Sequence, residues 1–259
     1  MQRPTETIAQ MFAERYLACA PLPVPSRLVE NLDLEMAYTL QRAFVQRLVD
    51  SGCEVAGYKA GLTSRPTQKN FGATGPVSGV LFAHGRVTSG GSVELECFGK
   101  MLLEVEVGYI MARDVDSPTT PRKVSALVEE VVGVVEIADL NLESMEGLSV
   151  ADIVAVNIGS RSYAVGEGVD PGRIRISEVA GALFKDGTAL GRPINSRAAL
   201  GGQWKALAWT INNVLAQGWE VRKGMLIITG ALGSPWPGSP GSYEARYTGG
   251  LGGVCFSVL

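Results

Sequence analysis

The segment "LLEVEVGYI", residues 102–110, is apolar, β-branched and aromatic, with no proline, and Gly108 is its only weak point. That is the composition of a strand. Glu104 and Glu106 stand two apart, and residues two apart in a strand share a face. Two like charges side by side on a greasy strand are costly unless something positive neutralises them. A third carboxylate, Glu136, interrupts "VVGVVEIADL", residues 131–140, which also reads as a buried strand. Two readings stand. The E-x-E pair lies on the solvent face of an edge strand beside Lys or Arg, or all three glutamates face one point. In the second case they form an oxygen cage of the kind that Mg²⁺ or Mn²⁺ chooses.

Working outward, residues 5–18 and 34–50 read as helices. The second carries Leu40, Phe44, Val45 and Leu48 on one face, Asp33 as N-cap and Gly52 as stop. Pro21, Pro23 and Pro25 separate the two, since alternating prolines continue neither helix. Residues 1–53 thus read as a helical N-terminal section. From residue 54 to 259, short strand-like runs alternate with Gly, Pro and Ser turns, and the class is α+β, dominated by a rolled sheet. Strands are expected at "VAGYKAGL" (55–62), "VSGVLFA" (77–83), 102–112, 131–140, 160–166 and 174–184, with "KDG" (185–187) as a hairpin turn. "MLIITGAL" (225–232) and the C-terminal run 243–259 complete them. The segment 117–132 reads as a helix with Thr120 as N-cap, Pro121 in its first turn, and Val124, Leu127, Val128 and Val131 as its stripe. A further helix is expected over 197–216.

Composition excludes several classes. The 259 residues are 46% hydrophobic and 19% charged, with a formal net charge of −3 and no basic tract. Nucleic acid is therefore a poor partner. No apolar run approaches membrane-spanning length and no signal-peptide core is present, so a cytoplasmic location is expected. The four cysteines, Cys19, Cys53, Cys97 and Cys255, form no C-x-x-C pair and read as free thiols. With one histidine, His84, a multi-histidine metal site is impossible. Lys59 lies in a strand-like run between Gly57 and Gly61. It is either a lysine holding an anionic substrate or exchanging protons, or a surface lysine with a snorkelling stem.

Taken together, "GYKAGLTSRPTQKNFG" (57–72), "LLEVEVGYIMARD" (102–114), "VVEIADL" (134–140) and "LIITGALG" (226–233) resemble the 2-keto-4-pentenoate hydratase and 4-oxalocrotonate decarboxylase group of the fumarylacetoacetate hydrolase superfamily. The resemblance implies a mostly-β roll with the helical section packed on it. It implies Mg²⁺ or Mn²⁺ held by Glu104, Glu106 and Glu136, and Lys59 as the active-site lysine. Leu62, Thr63, Asn157, Thr229 and Gly230 match positions around the bound acid. The implied partner is a short 2-oxo or 2-hydroxy-dienoic acid, and the implied assembly a homo-oligomer. Hydration is the default activity, with decarboxylation or tautomerisation, or a non-catalytic partner subunit, as alternatives. Val77, in "PVSG" (76–79), stands where the resemblance expects an aspartate, and valine moves no proton. Val156, Leu102 and the segment "LGGQW" (200–204) also depart from the group's pattern. Arg161 and His84 are candidate replacements for the lost polar groups. The segment 234–243, "SPWPGSPGSY", reads as a specificity loop or as a rigid connector.

Overall fold

The computed structural model describes residues 5–259. Helix α1 (Thr5–Leu17) and helix α2 (Leu34–Asp50) pack on each other through Phe12 and Phe44, whose rings meet edge to face at 5.9 Å. Asp33 caps α2 by accepting from the Met36 amide at 2.8 Å, as its position in the sequence predicts. The strands begin with β1 (Val55–Gly61), and after a short helix α3 (Arg65–Asn70) the chain returns as β2 (Val77–Phe82). Two short strands follow, β3 (Arg86–Thr88) and β4 (Ser92–Val93). The long pair β5 (Met101–Met111) and β6 (Val128–Asp139) comes next. Helix α4 (Val150–Ala155) leads to β7 (Ser162–Val165), and β8 (Ala180–Lys185) turns into β9 (Thr188–Ala189). The turn between them has Asp186 and Gly187 at φ 48° and 79°, both left-handed, the requirement of a tight hairpin. After β10 (Ile194–Asn195) and helix α5 (Gln203–Ala216), the chain ends in β11 (Leu226–Ile228), β12 (Trp236–Pro237), β13 (Gly241–Tyr247) and β14 (Val254–Val258).

These strands form two sheets. The larger, mixed sheet runs β2-β1-β11-β5-β6-β7-β3, with β12 on the edge of β5, and the smaller runs β10-β8-β13-β14-β4 with β9 on β8. The α+β class with a rolled sheet and few helices is what the structure has. The register assigns faces. Lys59 pairs with Gly79 and Ile228, Ile228 with Gly108, and Glu104 with Glu136. All of these side chains therefore share one wall of the curled sheet. The same wall carries a small apolar cluster of Leu81, Val132, Val134, Tyr163, Val165, Leu226 and Ile228. The opposite face carries the main core, in which Leu103, Val107 and Ile227 are continuous with α1, α2, α5 and the second sheet. Gly108 has no room for a side chain: a Cβ there would stand 2.8 Å from both Leu226 Cδ1 and Val134 Cγ2. Its absence lets the sheet close tightly around the small cluster.

Three expectations are corrected. Residues 117–132 do not form a helix. The Thr120 carbonyl does accept from the Lys123 and Val124 amides, but the turn ends in a 3₁₀ segment at Val124–Leu127, and β6 begins at Val128. The β-branched run pairs along the whole of β5, and a bulge between Ile110 and Met111 leaves Glu129 as an extra residue. Glu129 and Glu130 both face solvent as a result. The bulge breaks the alternation of the strand and leaves a spacing that imitates a helix. Second, the helix expected from 197 begins at Gln203, because Leu200, Gly201 and Gly202 all take positive φ. Third, the strand expected over 174–184 begins at Ala180, after two 3₁₀ turns.

Candidate active site

One wall of the curled sheet holds the charged cluster. Glu104 and Glu136 face each other across β5 and β6, and Glu106 is one pleat further along. One carboxylate oxygen from each lies within 4.8 Å of the others. Lys59, on β1, reaches across β11 and forms an ion pair with Glu136 Oε1, and it donates to the Ile158 carbonyl at 3.1 Å. Glu106, Glu136 and Lys59 are almost fully buried, whereas Glu104 is partly exposed and marks the open side. The solvent-face reading of the E-x-E pair is thereby removed.

The fourth wall comes from the end of β11. Thr229 N and Leu232 N remain in the ladder with Val107 O and Val105 O. The Gly230 amide between them leaves the ladder and donates to Glu106 Oε2 at 2.8 Å. Gly230 sits at φ 96°, and a Cβ there would stand 2.3 Å from Thr63 Cγ2, so only glycine fits. Thr63 is thus against the same turn. The Thr229 hydroxyl points away, to Val107 O (3.1 Å) and Gln203 Oε1 (2.7 Å). The Asn157 side chain is also engaged elsewhere: it accepts from Val80 N at 2.7 Å and donates to Val80 O at 2.9 Å. It thereby pins a turn in which Asn157, Ile158 and Gly159 are all left-handed, at φ 57°, 54° and 62°. Such a conformation in β-branched Ile158 is strained, and the turn aims the Ile158 carbonyl at Lys59.

Sequence reasoning did not find that carbonyl, since a backbone acceptor leaves no mark on residue type. Nor did it find Tyr247, whose buried hydroxyl lies 2.9 Å from Glu106 O and 2.8 Å from Val134 O while accepting from Val134 N at 3.1 Å. It ties β5 to β6 beside the glutamates. Val77 is buried on the same wall as Lys59, and Val77 Cγ2 and Ile158 Cγ2 both border the space above Gly61. Ser78, the next residue, faces the other way and accepts from Asn213 at 2.7 Å. His84 and Arg161 lie elsewhere: His84 Nε2 contacts Tyr16 Oη and Arg161 donates to the Tyr16 carbonyl.

With all groups ionised, three carboxylates face one ammonium, which leaves two negative charges uncompensated. Burial raises the Glu104 carboxyl to about 7, aided by the Glu136 charge and opposed by Lys59. Burial likewise raises Glu106 well above its ordinary range, with Glu136 and Glu104 adding to it, and raises Glu136 against the pull of Lys59. For Lys59, burial disfavours the charge, but Glu136, Glu104 and Glu106 outweigh it and the net shift is upward. Among the described residues, Glu106 Oε1 and Glu136 Oε2 are buried with no hydrogen-bond partner. Orphaned anionic oxygens, an all-oxygen donor set and a deficit of two charges fit a hard divalent cation.

The TodF product hydratase of Pseudomonas putida is 30% identical over 238 residues, which cover 89% of this chain and 87% of that protein. The chain belongs to the 2-keto-4-pentenoate hydratase and 4-oxalocrotonate decarboxylase family. A 4-oxalocrotonate decarboxylase from a Pseudomonas species is 27% identical over 222 residues, 86% of each chain. No family model matches the chain. The solved 4-oxalocrotonate decarboxylase of Pseudomonas putida G7, complexed with magnesium and adipate, superposes with a TM-score of 0.91 at 22% identity, covering 98% of this chain and 97% of that one. The hydratase and decarboxylase family is thus carried here on the fumarylacetoacetate hydrolase fold.

Proposed function

We propose that the protein is a metal-dependent lyase of short 2-oxo or 2-hydroxy-dienoic acids. Its reaction is the addition of water to a 2-hydroxypenta-2,4-dienoate-type substrate, giving a 4-hydroxy-2-oxo acid. The observation that carries this is the convergence of Glu104, Glu106, Glu136 and Lys59 on one wall, with two orphaned carboxylate oxygens. Glu104, Glu106 and Glu136 would hold Mg²⁺ or Mn²⁺, which when bound supplies Lewis-acid stabilisation of enolate charge on a 2-oxo acid. Lys59, anchored by the Ile158 carbonyl and held protonated by the glutamates, is the cation for the substrate's carboxylate and a proton donor rather than a base. Thr63 and Gly230, in contact, form the lip against which the acid lies, with Leu62 beside them in the chain. Asn157 and Thr229 act through backbone: one holds the Ile158 carbonyl in place, the other the Gly230 amide.

A second reading rests on Val77. With Val77, Gly61 and Ile158 along it, the wall beside Lys59 is apolar. Loss of carbon dioxide from a 4-oxalocrotonate-type acid needs the electron sink but no activated water, so valine harms it less. The two are separated by incubating the protein with 2-hydroxypenta-2,4-dienoate and with 4-oxalocrotonate, each with Mg²⁺ and then with EDTA. The conjugated ultraviolet band is followed and products are weighed, with Glu106→Ala as control. EDTA-sensitive gain of water supports the hydratase, and EDTA-sensitive loss of carbon dioxide supports the decarboxylase. Turnover of neither acid refutes both.

A further inference from the structure

A second cluster of reactive side chains lies away from the glutamates, where the helical section meets the roll. Cys19 follows α1 in a left-handed turn at φ 54°. Its sulfur accepts from Arg161 Nη2 at 2.7 Å. Arg161 is itself fixed, donating to the Tyr16 carbonyl at 2.8 Å with its guanidinium 4.6 Å from the centre of the Tyr16 ring. Asn141 Nδ2 donates to the Cys19 carbonyl at 3.3 Å, so the turn is held from a second side. Cys19, Cys97 and Arg161 line one cavity of about 20 Å³. That is room for a molecule near the size of water. Cys97 and Arg161 also border a wider open groove, which gives a route from solvent. Both cysteines are half-buried free thiols.

We infer that Cys19 and Cys97 are a peroxide-oxidisable dithiol, with Cys19 the attacking sulfur and Cys97 the resolving one. Of the two sulfurs, Cys19 is the one that carries a guanidinium hydrogen bond, the electropositive surrounding in which reactive cysteines are found. The neighbouring Cys19 and burial hold the Cys97 thiol above its ordinary pKa, and so it arrives as the proton-bearing partner. In the first step Cys19 sulfur bonds to one oxygen of hydrogen peroxide. The O–O bond breaks, one water leaves, and a sulfenic acid remains. In the second, Cys97 sulfur attacks that sulfur, the S–O bond breaks, and the hydroxyl leaves as water with the Cys97 proton. The two thiols lose two electrons and peroxide is reduced to two waters. The product ties the segment after α1 to the segment before β5.

The test is peroxide treatment of the full chain at neutral pH, alkylation, digestion without reductant and mass spectrometry. The expected result is a linked Cys19–Cys97 peptide two hydrogens lighter than its parts and reversed by dithiothreitol, with Cys53 and Cys255 still alkylated. Because the link closes a long loop, the oxidised chain melts roughly 5 °C higher. Cys97→Ser accumulates a dimedone-trappable sulfenic acid at Cys19. Arg161→Met slows the link about tenfold, and Arg161→Lys restores most of the rate. Oxidation of exposed Cys255 ahead of Cys19, or separate sulfinic acids without a link, overturns the inference.

Discussion

Stability of the metal-free protein should fall as pH rises toward neutrality, and Glu104 supplies a measurable share of that fall. Its carboxyl stands at about 7 in the fold against an ordinary 4.5, raised first by burial and then by Glu136. A carboxyl raised in the folded state is neutral in both states below pH 4.5 and carries no penalty there. Between 4.5 and 7 the unfolded chain ionises while the folded chain holds its proton, so stability is lost progressively and the loss is complete above 7. At about 1.4 kcal/mol per pH unit, the difference amounts to about 3 kcal/mol for this group. Glu106 and Glu136 shift in the same direction and add to it. His84, held below its ordinary value by burial and by Arg161, opposes the trend. The Glu104→Gln variant isolates the term, since His84 is common to both chains. Urea unfolding in EDTA at half-unit steps from pH 4.5 to 8 gives the two curves. The wild type minus variant difference should become less favourable to the wild type by about 3 kcal/mol across that range. A flat difference, or one of opposite sign, refutes the buried-cluster argument. Saturating Mg²⁺ should remove the wild-type slope and stabilise more at pH 8 than at pH 5, because cation ligands must be deprotonated.

Three further outcomes follow from the same geometry. Tyr247→Phe strips partners from buried backbone groups of β5 and β6, and should cost about 1–3 kcal/mol in urea unfolding while weakening Mn²⁺ binding measured by calorimetry. Gly230→Ala combines a left-handed backbone with a collision against Thr63; it should cost about 2–4 kcal/mol, of which Thr63→Ala in the same chain recovers only a part, because the Cβ of residue 63 would still stand 2.9 Å from the new methyl. Asp33→Ala removes the α2 cap, and should cost about 1 kcal/mol without changing Mn²⁺ affinity.

The carboxylate face was legible because strand periodicity is strict: with Glu104 and Glu106 two apart, one pairing register brings in Glu136. Lys59 was not legible from its flanking glycines, which suit a surface lysine as well; the resemblance of the whole segment 57–72 singled it out. The bulge at Glu129 was not legible either, because a single extra residue rewrites the pattern that identifies a strand. The engagement of Asn157 with Val80 was equally hidden, since a side chain that imitates a ladder partner looks from sequence like one offered to a ligand. Helix α4, with Ser149 and Asp152 forming a reciprocal capping box, carried a readable signal in "SVAD" (149–152) that went unused.

The small apolar cluster behind the glutamates bears on how such a protein changes its diet. Leu81, Tyr163, Val165 and Leu226 occupy the bore of the roll, and Gly108 leaves no slack around them. A longer acid cannot extend inward. Any added carbon must run outward past Glu104, the one of the three clustered glutamates that is partly open to solvent, toward whatever loops border it. Substrate range is then a property of the rim, free to drift without disturbing the wall that holds the charges.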